Sequence, residues 1–260
     1  GHFRGGRGGE VQYMTDGLNI GSSVEKEVVQ EVEVITGIFS AKYGRAMSGV
    51  VNAVTKDGTN QFHGKLSGGL ANYYTTHDET FIGLDATEFD RIKDFNLFSE
   101  GPIIKNKLFY VINYRNRDFN GHLNGERLFN PWDYNDYKSE DSTNWHLEKS
   151  GDRAIVPMNA SQRYSIYSKL TLKPTSSSKI SLTYQRDDSE GQGYSHYMKF
   201  NPDGRATSYN ESEIYTLQYN HMIGNSFFYE LKAAFEDRYS GSYKYEDPTS
   251  DKYLHPLYSG

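Results

Sequence analysis

From residue 62 onward the sequence alternates apolar and polar side chains one for one, and an extended strand turns that pattern into two chemically distinct faces. Phe62, Gly64, Leu66, Gly68 and Leu70 fall on one face, and His63, Lys65, Ser67 and Gly69 on the other. The second predicted strand runs over 94–101, where Gly101-Pro102 is expected to stop it. The third, over 108–117, sets Leu108, Tyr110, Ile112 and Tyr114 against Asn113, Arg115 and Arg117. Four more follow the same rule, carrying Ile166 and Leu170, then Ile180 and Leu182, then Tyr215 and Leu217, then Leu231 and Phe235 on their apolar faces. The connections between these strands alternate in length. Residues 75–91, 118–162 and 187–210 are long returns and a long tail starts at Tyr239, while 103–107, 173–179 and 223–226 are short.

A soluble β-sandwich has no reason to gather every long loop at one end, whereas an outer-membrane barrel has short periplasmic turns and long extracellular loops. The composition agrees with a barrel. Hydrophobic residues make up only 36% of the 260, yet aromatics reach 15%, with 22 Tyr and 14 Phe. That balance suits walls that are apolar outside and wet inside. No stretch approaches the roughly 20 apolar residues of a membrane-spanning helix, while a barrel strand needs only about 9–11. The absence of cysteine rules out disulfides and thiolate metal sites. A net charge of −6 argues against nucleic acid as a partner.

Upstream of the alternating region, residues 31–56 (EVEVITGIFSAKYGRAMSGVVNAVTK) hold two period-two runs around a small-residue turn. Val32, Val34 and Thr36 share one face of the first run, and 49–56 form a β-branched second run. Between them Phe39 and Tyr43 are spaced like neighbours on a helical face, and Gly44 stands where a left-handed cap belongs. The ordered set resembles the end of the plug domain of TonB-dependent outer-membrane receptors. The matching elements are a Val/Ile-rich strand closing at Gly37, a turn ending Tyr43-Gly44, and a strand from Gly49 to Thr55-Lys56. Asp16-Gly17, after a short strand over 11–14, is similar to the family's earlier Asp-Gly turn. Ile38 stands where a proline is common and Ser48 where a second glycine is common, as in the Oar-like branch. Residues 101–109 also resemble the first periplasmic turn of that branch.

The resemblance implies a mainly β fold: part of a small α+β plug over 1–61, then the first strands and loops of an antiparallel transmembrane β-barrel over 62–260. About seven strands would be present where such barrels have roughly 22. It also implies active import across the outer membrane of a Gram-negative bacterium. The partners would be outer-membrane lipid, an inner-membrane TonB–ExbB–ExbD complex acting through a missing N-terminal part, and an extracellular siderophore, saccharide or peptide. The chain begins Gly-His with no signal peptide and is expected to be a piece of a longer precursor. The alternatives are a barrel serving as an adhesin or display protein and, behind it, a soluble sugar-binding sandwich.

The glycine-rich start with Arg4 and Arg7 reads as a loop. Ser22-Ser23-Val24-Glu25 reads as a capping box opening a short helix to about Gln30, with Val24 and Val28 facing the plug sheet. Glu25, Lys26 and Glu27 read as a solvated face. No catalytic constellation is present: the eight histidines are scattered, without His-Glu-x-x-His or a helical pair. No cofactor and no metal site is expected. The strongest ligand candidates are Trp132, Tyr134, Tyr137 and Trp145, set among Asp133, Asp136, Glu140 and Asp141 in the longest loop. Lumen-facing Arg115 and Arg117, with Arg45, are candidates for an anionic ligand or for ion pairing between plug and barrel.

Overall fold

The computed structural model describes residues 11–20, 24–36, 49–85, 87–224 and 226–253. The predicted features at Arg4 and Arg7, at Ser22-Ser23, and through the turn carrying Gly37, Ile38, Phe39, Tyr43, Gly44, Arg45 and Ser48 lie outside those residues.

Three strands come first: β1 (Val11–Thr15), β2 (Val29–Ile35) and β3 (Gly49–Thr55). β3 is central, parallel to β1 and antiparallel to β2. Then come β4 (His63–Ala71), β5 (Ile92–Ile104) and β6 (Leu108–Asn120). A long connection follows that carries the short strands β7 (Asn124–Glu126), β8 (Asn135–Asp136), β9 (His146–Leu147) and β10 (Ile155–Pro157). Last are β11 (Ala160–Thr175), β12 (Ser178–Gly191), β13 (Thr207–Ile223) and β14 (Phe227–Tyr243). β4, β5, β6, β11, β12, β13 and β14 hydrogen-bond in that order as one antiparallel seven-stranded sheet.

Among the described residues, nothing packs over the apolar face of the large sheet. Leu66 is 68% exposed, Ile112 41%, Leu182 50% and Leu231 62%, all on one face, which excludes a sandwich core. The opposite face is covered by the small three-stranded unit. Each of the seven strands supplies a contact to that unit or to the linker after it, through Lys65, Phe98, Arg115, Tyr167, Lys179, Gln218 and Lys232. Seven strands laid flat would span about 29 Å, wider than a three-stranded sheet can reach across. The large sheet therefore curls around the small one.

The strands are longer than the apolar pattern predicts. From Phe227 to Phe235 the outward side chains of β14 stay apolar or aromatic over about 27 Å of strand, close to the ~25 Å band of a membrane barrel. Beyond that the ladder continues while the outward residues turn polar, at Asp237 on β14, Glu213 on β13 and Arg186 and Asp188 on β12. Tyrosines mark the change. Tyr184 and Tyr215 lie 5.1 Å apart and both donate to Glu213, at 2.9 and 3.0 Å, and the Tyr164 hydroxyl reaches Asp188. Aromatic rings with one apolar and one wet end suit such a boundary. Gly101-Pro102 does not end β5, which runs on to Ile104 with a register shift between Pro102 and Ile104. A bulge there accommodates a residue without an N–H. Likewise β14 passes the predicted start of the tail at Tyr239.

Two expectations are corrected. Residues 24–30 form no helix: Lys26, Glu27 and Val28 make a turn and the chain enters β2 at Val29. Lys56 donates its backbone N–H to the Val28 carbonyl at 2.9 Å, occupying an acceptor that a helix would need. Nor do Glu25 and Glu27 form a solvated face, because the turn pushes both carboxylates against cations of the wall.

Candidate functional site

Two clusters join the small unit to the inner face of the sheet. The first is built on the Asp16-Gly17 turn. Both residues have positive φ, 49° and 74°. One Asp16 carboxylate oxygen accepts the Thr55 backbone N–H at 2.7 Å and the other the Thr55 hydroxyl at 2.6 Å, so the turn clamps the end of β3. Gly17 donates its N–H to Asn52 at 2.9 Å, and a Cβ here would meet Lys232 Nζ at 2.8 Å. The paired motifs Asp16-Gly17 and Thr55-Lys56 are thus the two halves of one clamp. Gly49 opens β3 opposite Val11 and is buried, and Lys56 lays its ammonium over the Phe98 ring at 4.4 Å.

Lys169 on β11 closes this cluster. It is 3% exposed and donates to Asp57 at 2.8 Å and Thr55 Oγ1 at 3.0 Å, with Asp16 at 3.5 Å. Tyr167, one inward position along, donates to the same Thr55 hydroxyl oxygen at 2.9 Å. Asp57 also accepts from Lys179 at 2.6 Å. Burial pushes the Asp57 carboxyl up, but Lys169 and Lys179 outweigh it and hold the group below the usual carboxylate range.

The second cluster lies under the turn at 25–28. Arg115 makes a two-pronged bond to Asp94, at 2.9 and 2.6 Å, and reaches Glu25 at 2.7 Å. Arg163 is held by Asp187 and lies 3.8 Å from Glu25, and Lys65 meets Glu27 at 3.3 Å. Beside these ions Val28 packs into the buried apolar cluster of Phe98, Val111 and Tyr167. Val28 therefore faces the wall. Arg117 makes only a 3.5 Å contact with Asp94 and stays half exposed.

The loop candidates are placed apart from both clusters. β8 and β9 form a short hairpin, Asn135 opposite Leu147 and Asp136 opposite His146. Buried Asp133 ties its base, accepting the backbone N–H groups of Asn130 and Ser150 at 3.0 Å each and the Ser150 hydroxyl. Burial raises the Asp133 carboxyl, but those donors prevail and set it below its ordinary range. Trp145 donates its indole N–H to the Ser139 carbonyl at 2.8 Å and lies edge-on to Tyr137. Trp132, Tyr137 and Trp145 are 64%, 63% and 46% exposed, while Tyr134 is half-buried against His146. The sequence thus brings Trp132, Tyr137 and Trp145 to one hairpin, and Arg115 and Arg117 to the lumen wall, as two separate places.

Sequence reasoning missed Glu25, Glu27, Asp57, Tyr167 and Lys169. A signal existed for Lys169: a lysine at an inward strand position needs a carboxylate facing it.

No family model matches the sequence. The TonB-dependent transporter Oar of Myxococcus xanthus is 30% identical to it over 40% of this chain and 11% of that protein. The siderophore receptor PirA of Acinetobacter baumannii superimposes with a TM-score of 0.60 at 17% identity, over 92% of this chain and 33% of that one. The chain is similar in sequence, over part of its length, to a TonB-dependent transporter and in fold to a siderophore receptor. The ferric-catecholate import receptor Fiu of E. coli K12 shares the fold too, with a TM-score of 0.55 at 12% identity over 88% of this chain and 32% of that one. The chain spans about a tenth of the curated relative and a third of the solved receptor structures. Its relatives are named for transport and reception, not for catalysis.

Proposed function

We propose that this chain is part of an importer in which residues 1–61 are the last part of the plug and residues 62–260 the first strands and loops of the barrel. The observation that carries this reading is the clamp of Asp16, Thr55, Lys169 and Asp57, which fastens a small folded unit to the inside of a sheet whose outside is apolar. A barrel that only displays loops has no use for such a stopper. In the proposed mechanism an extracellular ligand settles on the loops and on the lumen wall near Arg117. The TonB–ExbB–ExbD complex then pulls the plug from the periplasmic side, and the ionic contacts under Glu25 and Glu27 give way while the chain stays covalently joined to the wall at 56–62. This is a shift between two arrangements driven by external work, without covalent chemistry.

The stopper is tested by permeability. Cells carrying the full-length protein with residues 11–56 deleted are expected to become several-fold more sensitive to vancomycin, a solute too large for ordinary porins. Unchanged sensitivity with a normally inserted barrel contradicts the reading. Lipid contact is tested separately. Leu182→Arg places a charge at mid-depth of the outward face and is expected to destabilise the inserted protein by about 2–4 kcal/mol. Urea titration in phospholipid vesicles measures this, and an effect near zero means that Leu182 faces water.

A further inference from the structure

The hairpin at residues 130–150 combines three features that the clamp and the lumen wall do not use. Its backbone is fixed, by the β8–β9 ladder, by Asp133 at its base and by the cap that Asp141 places on Thr143, at 2.9 Å to the N–H. Its aromatic rings are turned outward although the framework beneath them is hydrogen-bonded. And its charge is one-sided, with five carboxylates against Lys138 and Lys149.

The carboxylates are not spent on internal ion pairs. Asp136 accepts the Lys138 backbone N–H at 3.1 Å and the Tyr134 hydroxyl at 3.2 Å. Asp141 accepts from Thr143, and Glu148 from the Tyr134 N–H at 2.8 Å. All these donors are uncharged. Among the described residues no lysine, arginine or histidine nitrogen lies within 4 Å of the carboxylates of Asp136, Glu140, Asp141 or Glu148. The Lys138 N–H and then the Tyr134 hydroxyl hold the Asp136 carboxyl below its ordinary range, and the Thr143 N–H and hydroxyl do the same for Asp141. Both stay ionised at neutral pH.

The rest of the long-loop end reinforces the sign. Residues 75–91 hold Asp78, Glu79, Asp85, Glu88 and Asp90 against Arg91 alone. At the opposite end the turns at 103–107 and 173–179 carry four lysines and no carboxylate. A field of this shape draws cations to the loops and repels anions. Exposed Trp and Tyr faces bind cations as well, through the negative potential over the ring.

We propose that this hairpin is a docking surface for a cationic peptide, whose Arg or Lys side chains lie over Trp132 and Tyr137 and against Asp136 and Glu140. The inference rests on the importer reading for its purpose but not for its chemistry. It assigns the loops a ligand of opposite charge to an anionic metal chelate, so selectivity here is electrostatic first, with shape fitted by the rings.

The test uses the full-length receptor in detergent, titrated by tryptophan fluorescence with penta-arginine and with its uncharged citrulline counterpart. Penta-arginine is expected to bind at least about tenfold more tightly, and to weaken as salt is raised. Asp136→Asn combined with Glu140→Gln keeps the hydrogen-bonding shape and is expected to reduce penta-arginine affinity about tenfold. Trp132→Ala, which removes no hydrogen bond among the described residues, is expected to reduce it about fivefold. Equal binding of the citrulline peptide overturns the proposal. So does full affinity in the Asn/Gln variant, which would mark the attraction as general to an acidic protein. If penta-arginine binds as expected but energised cells do not take it up, the docking surface stands and the importer reading fails.

Discussion

Lys169→Met is expected to destabilise the folded protein by about 3 kcal/mol, the lower end of the range for breaking a buried ion pair. The side chain is fully enclosed and is the meeting point of Asp57, Thr55 and Asp16, so its removal leaves Asp57 with Lys179 alone and Asp16 facing a methyl group. The lower end is appropriate because a quarter of the Asp57 side chain remains accessible and Lys179 persists. Urea unfolding of the inserted protein measures the loss, and accelerated proteolysis around residue 57 locates it. A loss below about 0.5 kcal/mol would mean that the clamp holds nothing. Acid should act on the same group. The folded carboxyl lies below its ordinary 3.8, so its contribution is complete above about pH 4 and is lost as pH falls through the lower folded value. Attachment of the small three-stranded unit in the wild-type protein should therefore weaken only below about pH 4, and Asp57→Asn should remove that acid sensitivity.

Arg115→Ala is the second large effect, again about 3 kcal/mol, because it leaves Glu25 at the interface with the more distant Arg163 and the Ser165 hydroxyl, and strips Asp94 of its two-pronged donor. The two halves of the loss can be separated. A double-mutant cycle with Glu25→Ala is expected to give a coupling of about 1–2 kcal/mol, since the pair is close and well enclosed. Hydrogen exchange in residues 24–28 should rise in Arg115→Ala while exchange at Thr55 stays slow. If both regions loosen together, the two clusters are one cooperative latch instead of two.

The wall was legible because its rule is simple: one residue out, one in, with short and long returns alternating. Leu66, Ile112, Leu182 and Leu231 could be assigned to the same outward face from parity alone. The strand ends were not legible, because Arg186, Asp188 and Glu213 break the apolar face while the hydrogen-bonded ladder carries on into the region above the aromatic boundary. A ladder needs no greasy side chain beyond the aromatic boundary. The motif residues Asp16, Gly17 and Thr55 stood out as a pattern, but what they do became visible only when residues nearly 40 positions apart met in one clamp. Glu25 and Glu27 failed for a related reason. A run of alternating charges near a capping sequence has the look of a solvated helix, and nothing local reveals that Arg115, 90 residues on, occupies the facing wall. The hairpin aromatics were found by composition, while the fixed backbone beneath them depends on Asp133 meeting Ser150.

Which side of the large sheet meets lipid decides whether its apolar face is a membrane wall. Nitroxide labels placed singly at positions 66, 112, 182 and 231 of the full-length protein in phospholipid vesicles read this directly through collision rates. All four are expected to collide freely with oxygen and to be shielded from a water-soluble nickel chelate. Labels that meet the nickel chelate as readily as oxygen, or that are shielded from both, would contradict the lipid-facing wall and the plug enclosed behind it.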